Sequence, residues 1–144
     1  MDDMDRRIIG WLSSNSRTRY ADMAGKLGVA TSTIHNRIRR LEELGVIEQF
    51  TLITDPAKMG NNITAYIGIN IDYEKKDEIV EEVKKLDLVL EFYELLEPYD
   101  LFLKVRTDTI ESLKRDVLMK LSEMDGVHDF SSILTTKRHK ELTY

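Results

Sequence analysis

The sequence predicts an α+β protein in which a winged helix-turn-helix domain precedes a ferredoxin-like βαββαβ domain. Before residue 45, apolar residues recur three times at helical spacing. After residue 62, apolar patterns follow in the order strand, helix, strand, strand, helix, strand. A turn-rich stretch containing Asp55-Pro56 and Gly60 separates the two patterns. We therefore expect domains at residues 1–50 and 63–144, joined by a β-linker or hinge at 51–62.

The first domain is predicted to contain three short helices. Gly28 and Gly45 follow the second and third of them, and glycine ends helices readily because it adopts a left-handed conformation without steric cost. After Gly45 the segment VIEQFTLIT is rich in β-forming residues, and we expect it to be extended and to supply a wing. The predicted helices span Asp3 to about Ser14, Tyr20 to about Leu27, and Thr31 to Leu44.

The second domain is predicted to alternate strands and helices around one sheet. Either Asp108 or Thr109 is expected to cap its second helix, since both side chains accept hydrogen bonds from first-turn amides. The predicted elements are a strand from Ile63 to Ile71, a helix through Ile79 and Leu86, strands near 89–96 and 101–106, a helix from Ile110 to Met124, and a strand from Val127 to Thr136.

Both faces of the predicted sheet carry apolar residues. Two helices cover one face only, and an exposed apolar face of this size usually marks a protein interface, so we expect self-association. The alternative is a second face that is spotted with aromatic residues and solvated. Along the second strand, Val89, Tyr93 and Leu95 alternate with Leu90, Phe92 and Leu96.

Composition narrows the class of protein. The 144 residues are 42% hydrophobic and 33% charged, as in globular domains, and contain no cysteine. Disulfides and thiolate metal sites are therefore excluded, which suits the cytoplasm. No apolar run reaches the roughly 18 residues that span a bilayer, so we expect no membrane association.

Positive charge is concentrated near the third helix although the chain as a whole carries −5. Residues 1–60 hold 9 Lys/Arg against 8 Asp/Glu, whereas residues 61–144 hold 12 against 18. Residues 17–40 contain six cationic side chains and only one acid, Asp22. A local excess of this kind favours a polyanion such as double-stranded DNA as partner.

The third helix has the chemistry of a reader of the DNA major groove. Ile34, Ile38 and Leu41 fall within about 40° of one another and face inward. Polar side chains occupy the remaining surface, where Asn pairs well with adenine and Arg with guanine or phosphate. The predicted DNA-binding residues are Thr31, Ser32, Thr33, His35, Asn36, Arg37, Arg39 and Arg40.

Other interpretations of these residues remain open at this point. The helix has the pattern of any solvated surface helix, and the flanking position of Arg37 also suits a salt bridge to an acid of the first helix. The three histidines are scattered, and no zinc-protease or phosphate-loop motif occurs. We therefore predict no catalytic residue, no metal site and no cofactor.

Two motifs together resemble the Lrp/AsnC family of feast/famine transcriptional regulators. MDDMDRRI is similar to the N-terminal family pattern through Asp2, Asp5 and Ile8, and LGVATSTIHNRIRRLEELGVI resembles the recognition-helix pattern. The resemblance covers nearly the whole chain. It implies a regulator that binds pseudo-palindromic DNA as a homodimer, with tetramers or octamers also open, and whose second domain binds an amino-acid effector. A weakly specific DNA-bridging or packaging protein is the alternative.

Two positions depart from the family pattern. Ala30 replaces the serine that would cap the recognition helix, so capping either moves to Thr31 or is lost. The family's Gly-Asp-Tyr-Asp loop reads Glu97-Pro98-Tyr99-Asp100 here. The resemblance places Tyr99 and Asp100 near the effector, where the Glu97 carboxylate would repel an effector carboxylate.

Overall fold

The computed structural model describes residues 1–141, which fold as two compact units. Met1–Ile53 forms the core of the first unit, and Thr54–Lys140 forms the second. The first unit is helical, and the second is an antiparallel sheet with helices. This architecture confirms the predicted α+β fold class.

Three helices make up the first unit, with nearly the bounds that periodicity predicts. They are α1 (Asp3–Ser14), α2 (Tyr20–Leu27) and α3 (Thr31–Glu43). Gly28 ends α2 in the left-handed conformation at φ 68°, which a side chain would strain. The buried core of the unit consists of Ile8, Leu12, Met23, Ala24, Ile34 and Ile38.

The expected wing does not form as a β-strand. Residues 48–54 carry no regular secondary structure, although the segment is rich in β-forming residues. A strand needs a second backbone to satisfy its amide and carbonyl groups, and no other segment in residues 1–141 pairs with this one. Its apolar side chains Phe50, Leu52 and Ile53 are consequently exposed.

The second unit has the predicted βαββαβ order. Its strands are β1 (Ile63–Ile71), β2 (Val89–Glu94), β3 (Leu101–Thr107) and β4 (Val127–Leu134), in the antiparallel order β2-β3-β1-β4. The helix α4 (Lys76–Lys84) follows β1. The second crossover contains α5 (Ile110–Leu113), a π-helical turn at Lys114–Leu118, and α6 (Met119–Glu123). Thr109 caps α5 by accepting from the Ser112 amide.

The helices of this unit pack on one face of the sheet. The buried residues alternate along the central strands, so that Ala65, Ile67 and Ile69 of β1 face the same side as Leu103 and Val105 of β3. Side chains from the helices close this core. They are Ile79 and Val83 of α4, and Leu113, Val117 and Leu121 of the second crossover.

Register shifts in both edge strands change which residues face the core, so the predicted alternation is wrong there. A shift between Val89 and Glu91 lets Val89 and Phe92 both pair with core residues of β3, although simple alternation places them on opposite faces. A second shift, at Asn70/Ile71, likewise places Val127 and Phe130 of β4 on the core side. A bulge adds one residue to one strand and so reverses the alternation beyond it, which periodicity alone does not reveal.

The face away from the helices is therefore not uniformly apolar. Tyr66 stacks on Phe102 with ring centroids 5.8 Å apart, while Tyr93 and Ile133 are exposed. Lys104 lies among them and pairs with Glu91 at 2.7 Å. The prediction of an apolar second face is thus wrong in part, because an ion pair occupies it together with the aromatic side chains.

Candidate nucleic-acid interface

The outward surface of α3 presents most of the predicted DNA-binding side chains together. Ile34, Ile38 and Leu41 are buried against the rest of the unit, which leaves the opposite surface of the helix to solvent. Thr33 and Arg37 are half-buried at its edges. The predicted residues that are exposed are Thr31, Ser32, His35, Asn36, Arg39 and Arg40.

The first turn of α3 lacks a side-chain cap. Ala30 occupies the N-cap position in an extended conformation, and no side chain accepts a hydrogen bond from the first-turn amides there. Of the two expectations for this position, the transfer of the cap to Thr31 is wrong and the loss of the cap is confirmed. An absent cap costs about 1 kcal/mol of helix stability, so tertiary contacts have to hold α3 in place.

Two carboxylates of α1 hold the middle of α3. The Arg37 Nη1 donates to Asp2 Oδ2 at 2.6 Å and to Asp5 Oδ1 at 2.8 Å. Asp2 and Asp5 also accept from each other's backbone amides at 2.9 Å, forming a reciprocal capping box at the start of α1. The structure therefore contains the salt bridge between Arg37 and the first helix, which the sequence had left open as an alternative to DNA contact.

Electrostatics confirm that this cluster is ionised. The Asp5 backbone amide, followed by the Arg37 guanidinium, lowers the pKa of Asp2 below its ordinary value. The Asp2 backbone amide and Arg37 likewise lower the pKa of Asp5, although burial acts in the opposite direction. The two carboxylates, Asp2 first, raise the pKa of Arg37. All three groups are charged at neutral pH.

Arg39 is held more loosely than Arg37, whereas His35 packs on an aromatic ring. Arg39 Nη2 lies 3.4 Å from Asn36 Oδ1, and its Nε lies 3.8 Å from Glu43, with both charged side chains exposed. The His35 ring meets Tyr20 of α2 edge to face at 4.5 Å between centroids. Both contacts of Arg39 are long and exposed and therefore weak, so Arg39 can reorient towards a ligand at little cost.

Most cations of the first unit have no carboxylate partner. Of the eight Lys and Arg residues in positions 1–53, only Arg37 and Arg39 take part in ion pairs among residues 1–141. The other six cations make no direct contact with a carboxylate of residues 1–141, which leaves their charges available to a polyanion. The six others are Arg6, Arg7, Arg17, Arg19, Lys26 and Arg40.

The loop between β2 and β3 is attached firmly to β1. Asp100 Oδ2 accepts from the Ile71 amide at 2.9 Å, and the Asp100 amide donates to the Ile69 carbonyl at 3.0 Å. The Tyr99 ring lies directly on Gly68, where a Cβ atom would come within 2.2 Å of the ring. Both predicted effector residues thus have structural contacts, and the contact with Gly68 has no signature in local sequence.

Within residues 1–141, no group of three or more His, Cys, Asp or Glu side chains is arranged to hold a metal ion. No helix in that range is long and apolar enough to cross a membrane.

Comparison with known proteins places the chain in a family. The sequence model of the AsnC-type helix-turn-helix domain matches residues 1–42, and that of the Lrp/AsnC ligand binding domain matches residues 64–144. The chain belongs to the Lrp/AsnC family of transcriptional regulators. The resemblance seen in the motifs around Asp2, Asp5 and Arg37 is confirmed.

Individual Lrp/AsnC proteins match over nearly their whole length. HTH-type transcriptional regulator FL11 of Pyrococcus furiosus is 35% identical over 143 residues, covering 99% of this chain and 94% of the relative. The structure of AsnC from E. coli superposes with a TM-score of 0.90 at 26% identity, covering 100% and 97% of the two chains. A regulator from Neisseria meningitidis, solved as its L-Met complex, has a TM-score of 0.89 at 23% identity, covering 99% and 94%. The relative FL11 is named as a transcriptional regulator, in agreement with the prediction that this chain is a regulator and not an enzyme.

Arg37→Met should lower the free energy of unfolding of the first unit by roughly 1–2 kcal/mol, because the buried Asp5 carboxylate loses its charged partner. Urea unfolding followed by the fluorescence of Trp11, the only tryptophan in the chain, measures this unit directly. Arg40→Met removes an exposed arginine from the same helix and should be nearly neutral. Equal losses in the two variants would contradict the role assigned to Arg37.

The same cluster sets an acid limit for the first unit. Because the folded-state pKa values of Asp2 and Asp5 are lowered, their contribution is complete above the unfolded value of about 4 and is lost as pH falls through the folded values. Wild type should therefore lose stability more steeply than Arg37→Met between about pH 4 and 2. Parallel losses would show that Arg37 contributes nothing to the lowered pKa values.

Proposed function

We propose that this Lrp/AsnC regulator reads double-stranded DNA sequence-specifically with the outward face of α3. The observation that carries the proposal is the anchoring of α3 through Arg37 to Asp2 and Asp5, which leaves Asn36 and Arg39 facing outward. In this proposal residues 1–50 bind DNA and residues 51–62 form the hinge. Residues 63–144 provide the effector-binding and oligomerisation domain.

The side chains of α3 divide into base readers and backbone contacts. Asn36 is suited to the N6/N7 edge of adenine, and Arg39 to the O6/N7 edge of guanine. Ser32, Thr33 and His35 line the same surface and reach either base edges or phosphates. Thr31 and Arg40, at its ends, are assigned to phosphates. For Arg37 we propose orientation of the helix, because two carboxylates already occupy its guanidinium.

A DNA-bridging or packaging protein would use the same unpaired cations. Arg6, Arg17 and Arg19, for example, attract any duplex regardless of its sequence. A protein of this kind has no need for a helix held in one orientation, and the anchoring of α3 through Arg37 therefore favours the regulator. Discrimination between DNA sequences distinguishes the two functions.

Asn36→Ala and Arg39→Ala should each weaken binding to a preferred duplex more than binding to random DNA, since each removes base contacts worth roughly 1–3 kcal/mol. The duplex is first selected with the wild-type protein from a random library, and both DNAs are titrated by gel shift at one fixed salt concentration. Lys114→Ala, in the second unit, is the control for the removal of a positive charge.

Two results would count against base reading. Equal losses on the selected and random duplexes would reassign Asn36 and Arg39 to backbone contacts. If the library yields no preferred sequence, the chain is a packaging protein.

We further propose that two chains associate through the open face of the sheet, defined as Tyr66, Tyr93, Phe102, Lys104 and Ile133. Tyr93 and Ile133 are 53% and 58% exposed, and the helices of the unit do not cover this face. Aromatic residues of this kind are enriched at interfaces. A two-fold dimer would present two α3 helices to pseudo-palindromic half-sites about 34–36 Å apart. The proposal leaves open whether dimers assemble into tetramers or octamers.

Ile133→Arg should convert the dimer to monomers at micromolar concentration, because it buries an unpaired charge in the interface while the residue is exposed within one chain. Met119→Arg, on a helix packed against the other face, makes the same chemical change at an exposure of 54% and should remain dimeric. Light scattering coupled to size exclusion gives both masses. A dimer that survives Ile133→Arg would exclude the open face as the interface.

We propose an amino acid as effector of the second domain. The match to a ligand-binding domain supports a small molecule, and the L-Met complex of the Neisseria regulator supports its chemical class. Tyr99 and Asp100 would lie beside it, with their loop anchored to β1. An effector acts only through differential affinity for two arrangements of the protein.

Glu97→Gln should strengthen amino-acid binding about 3- to 10-fold, because a carboxylate within about 5 Å of the effector carboxylate repels it. Calorimetry with L-Met and then the other amino acids measures the change, and Glu74→Gln removes an exposed charge elsewhere as control. If neither wild type nor Glu97→Gln binds any amino acid, the effector proposal fails while DNA reading stands.

A further inference from the structure

Trp11 carries two cations that come from different helices. The Arg7 guanidinium carbon of α1 lies 5.4 Å from the centre of the indole, and Lys26 Nζ of α2 lies 5.3 Å from it. Trp11 is half-buried and packs against the core of the first unit, so the ring is a fixed support. Only the folded unit brings the three side chains together, and we call them the Trp11 site.

The two cations are accessible to an anion. Neither Arg7 nor Lys26 forms an ion pair with a carboxylate in the described part of the chain. A cation over an aromatic face is attracted by the ring quadrupole but is not neutralised, in contrast to a cation in a salt bridge. The indole thus restricts both side chains and leaves both charges available to an anion.

The Trp11 site does not belong to the reading surface of α3. On α2, Lys26 is about 120° around the helix axis from Tyr20, which contacts His35 of α3. On α1, Arg7 is about 160° around the axis from Asp5, which binds Arg37. The site therefore lies outside the surface of α3 that is proposed to read DNA.

We propose that the Trp11 site binds backbone phosphates of DNA flanking the segment read by α3. Since both head groups lie within 5.4 Å of one ring centre, they are at most about 11 Å apart. A DNA strand has one phosphate per roughly 3.4 Å of its axis and presents several over that distance. Single-stranded bases are a poorer fit because the cations already occupy the indole. This inference rests on the proposed DNA binding and extends its contact surface.

The test compares Arg7→Gln/Lys26→Gln with Lys114→Gln/Lys120→Gln in the full-length protein. Both double variants remove two exposed positive charges, but the control charges lie in the second unit. Binding is measured between about 50 and 200 mM salt. The probes are the duplex selected by wild type and the same duplex extended by about one turn, or roughly 10 base pairs, at each end.

On the extended duplex, Arg7→Gln/Lys26→Gln should reduce the slope of log affinity against log salt by roughly 0.9 for each phosphate that the variant no longer neutralises. On the short duplex the slope should match the control. Equal slopes for the two variants on the extended duplex would overturn the proposal. Wild-type binding to the selected duplex tests DNA reading separately, so the two failures can be told apart.

Trp11 provides a second readout at the site itself. As the only tryptophan in the chain, it should change its emission when wild type binds the extended duplex, and much less on the short one. Asn36→Ala should lose preference for the selected sequence and still show the change on long random DNA. An emission that is unaffected by extended DNA would also overturn the proposal. If an acidic peptide such as poly-glutamate reproduces the change and extended DNA does not, the partner is an acidic protein and not DNA.

Discussion

The pairing of Arg37 with Asp2 and Asp5 is the contact on which the DNA-binding unit depends. It joins the middle of α3 to the start of α1, and the same two carboxylates also cap α1. Since α3 has no side-chain cap of its own, its orientation depends on this cluster and on the buried stripe of Ile34 and Ile38. An arginine that the helical pattern places among DNA contacts is thus paired with two carboxylates, and we propose that it orients the helix.

Lysine and arginine side chains form fewer ion pairs in the first unit than in the second. In the first, only two of eight have carboxylate partners among residues 1–141, whereas many in the second are paired within a few residues. The acids of the second unit outnumber its cations, so its excess charge is negative, and the cations without a carboxylate partner are concentrated in the helical unit. The Trp11 site follows the same principle, since an aromatic ring supports cations without neutralising them. The second unit's ion pairs involve Lys75, Lys76, Lys84, Lys85, Lys104 and Arg115.

The sheet links the β2–β3 loop to the open face. Asp100 joins the loop to the backbone of β1, and Tyr99 lies across Gly68, which faces away from the helices. The absence of a side chain at Gly68 is what permits this approach, since any Cβ atom would collide with the ring. A displacement of the loop would therefore move the Tyr99 ring relative to the open face, through which we propose that two chains associate.

Local pattern is sufficient for most of the fold. The approximate bounds of α1, α2 and α3 and the βαββαβ order follow from periodicity and from the chemistry of single residues, which depend only on near neighbours in the chain. The sequence left the cap of α5 open between Asp108 and Thr109, and the structure assigns it to Thr109. The exposed residues of the candidate interface follow in the same way, because burial of Ile34, Ile38 and Leu41 fixes which side of α3 faces out. The absence of a strand at residues 48–54 does not follow from local pattern, because a strand exists only where a partner backbone is present.

The remaining features depend on residues that are distant in the chain. Asp2 and Asp5, the carboxylate partners of Arg37, lie more than thirty positions away from it in the chain. Three other features likewise involve residues from different elements. They are the bulges in β2 and β4, the contact of Tyr99 with Gly68, and the contact of Arg7 and Lys26 with the ring of Trp11. Each results from packing that fills space between elements, and side-chain periodicity carries no information about which distant atom will occupy that space.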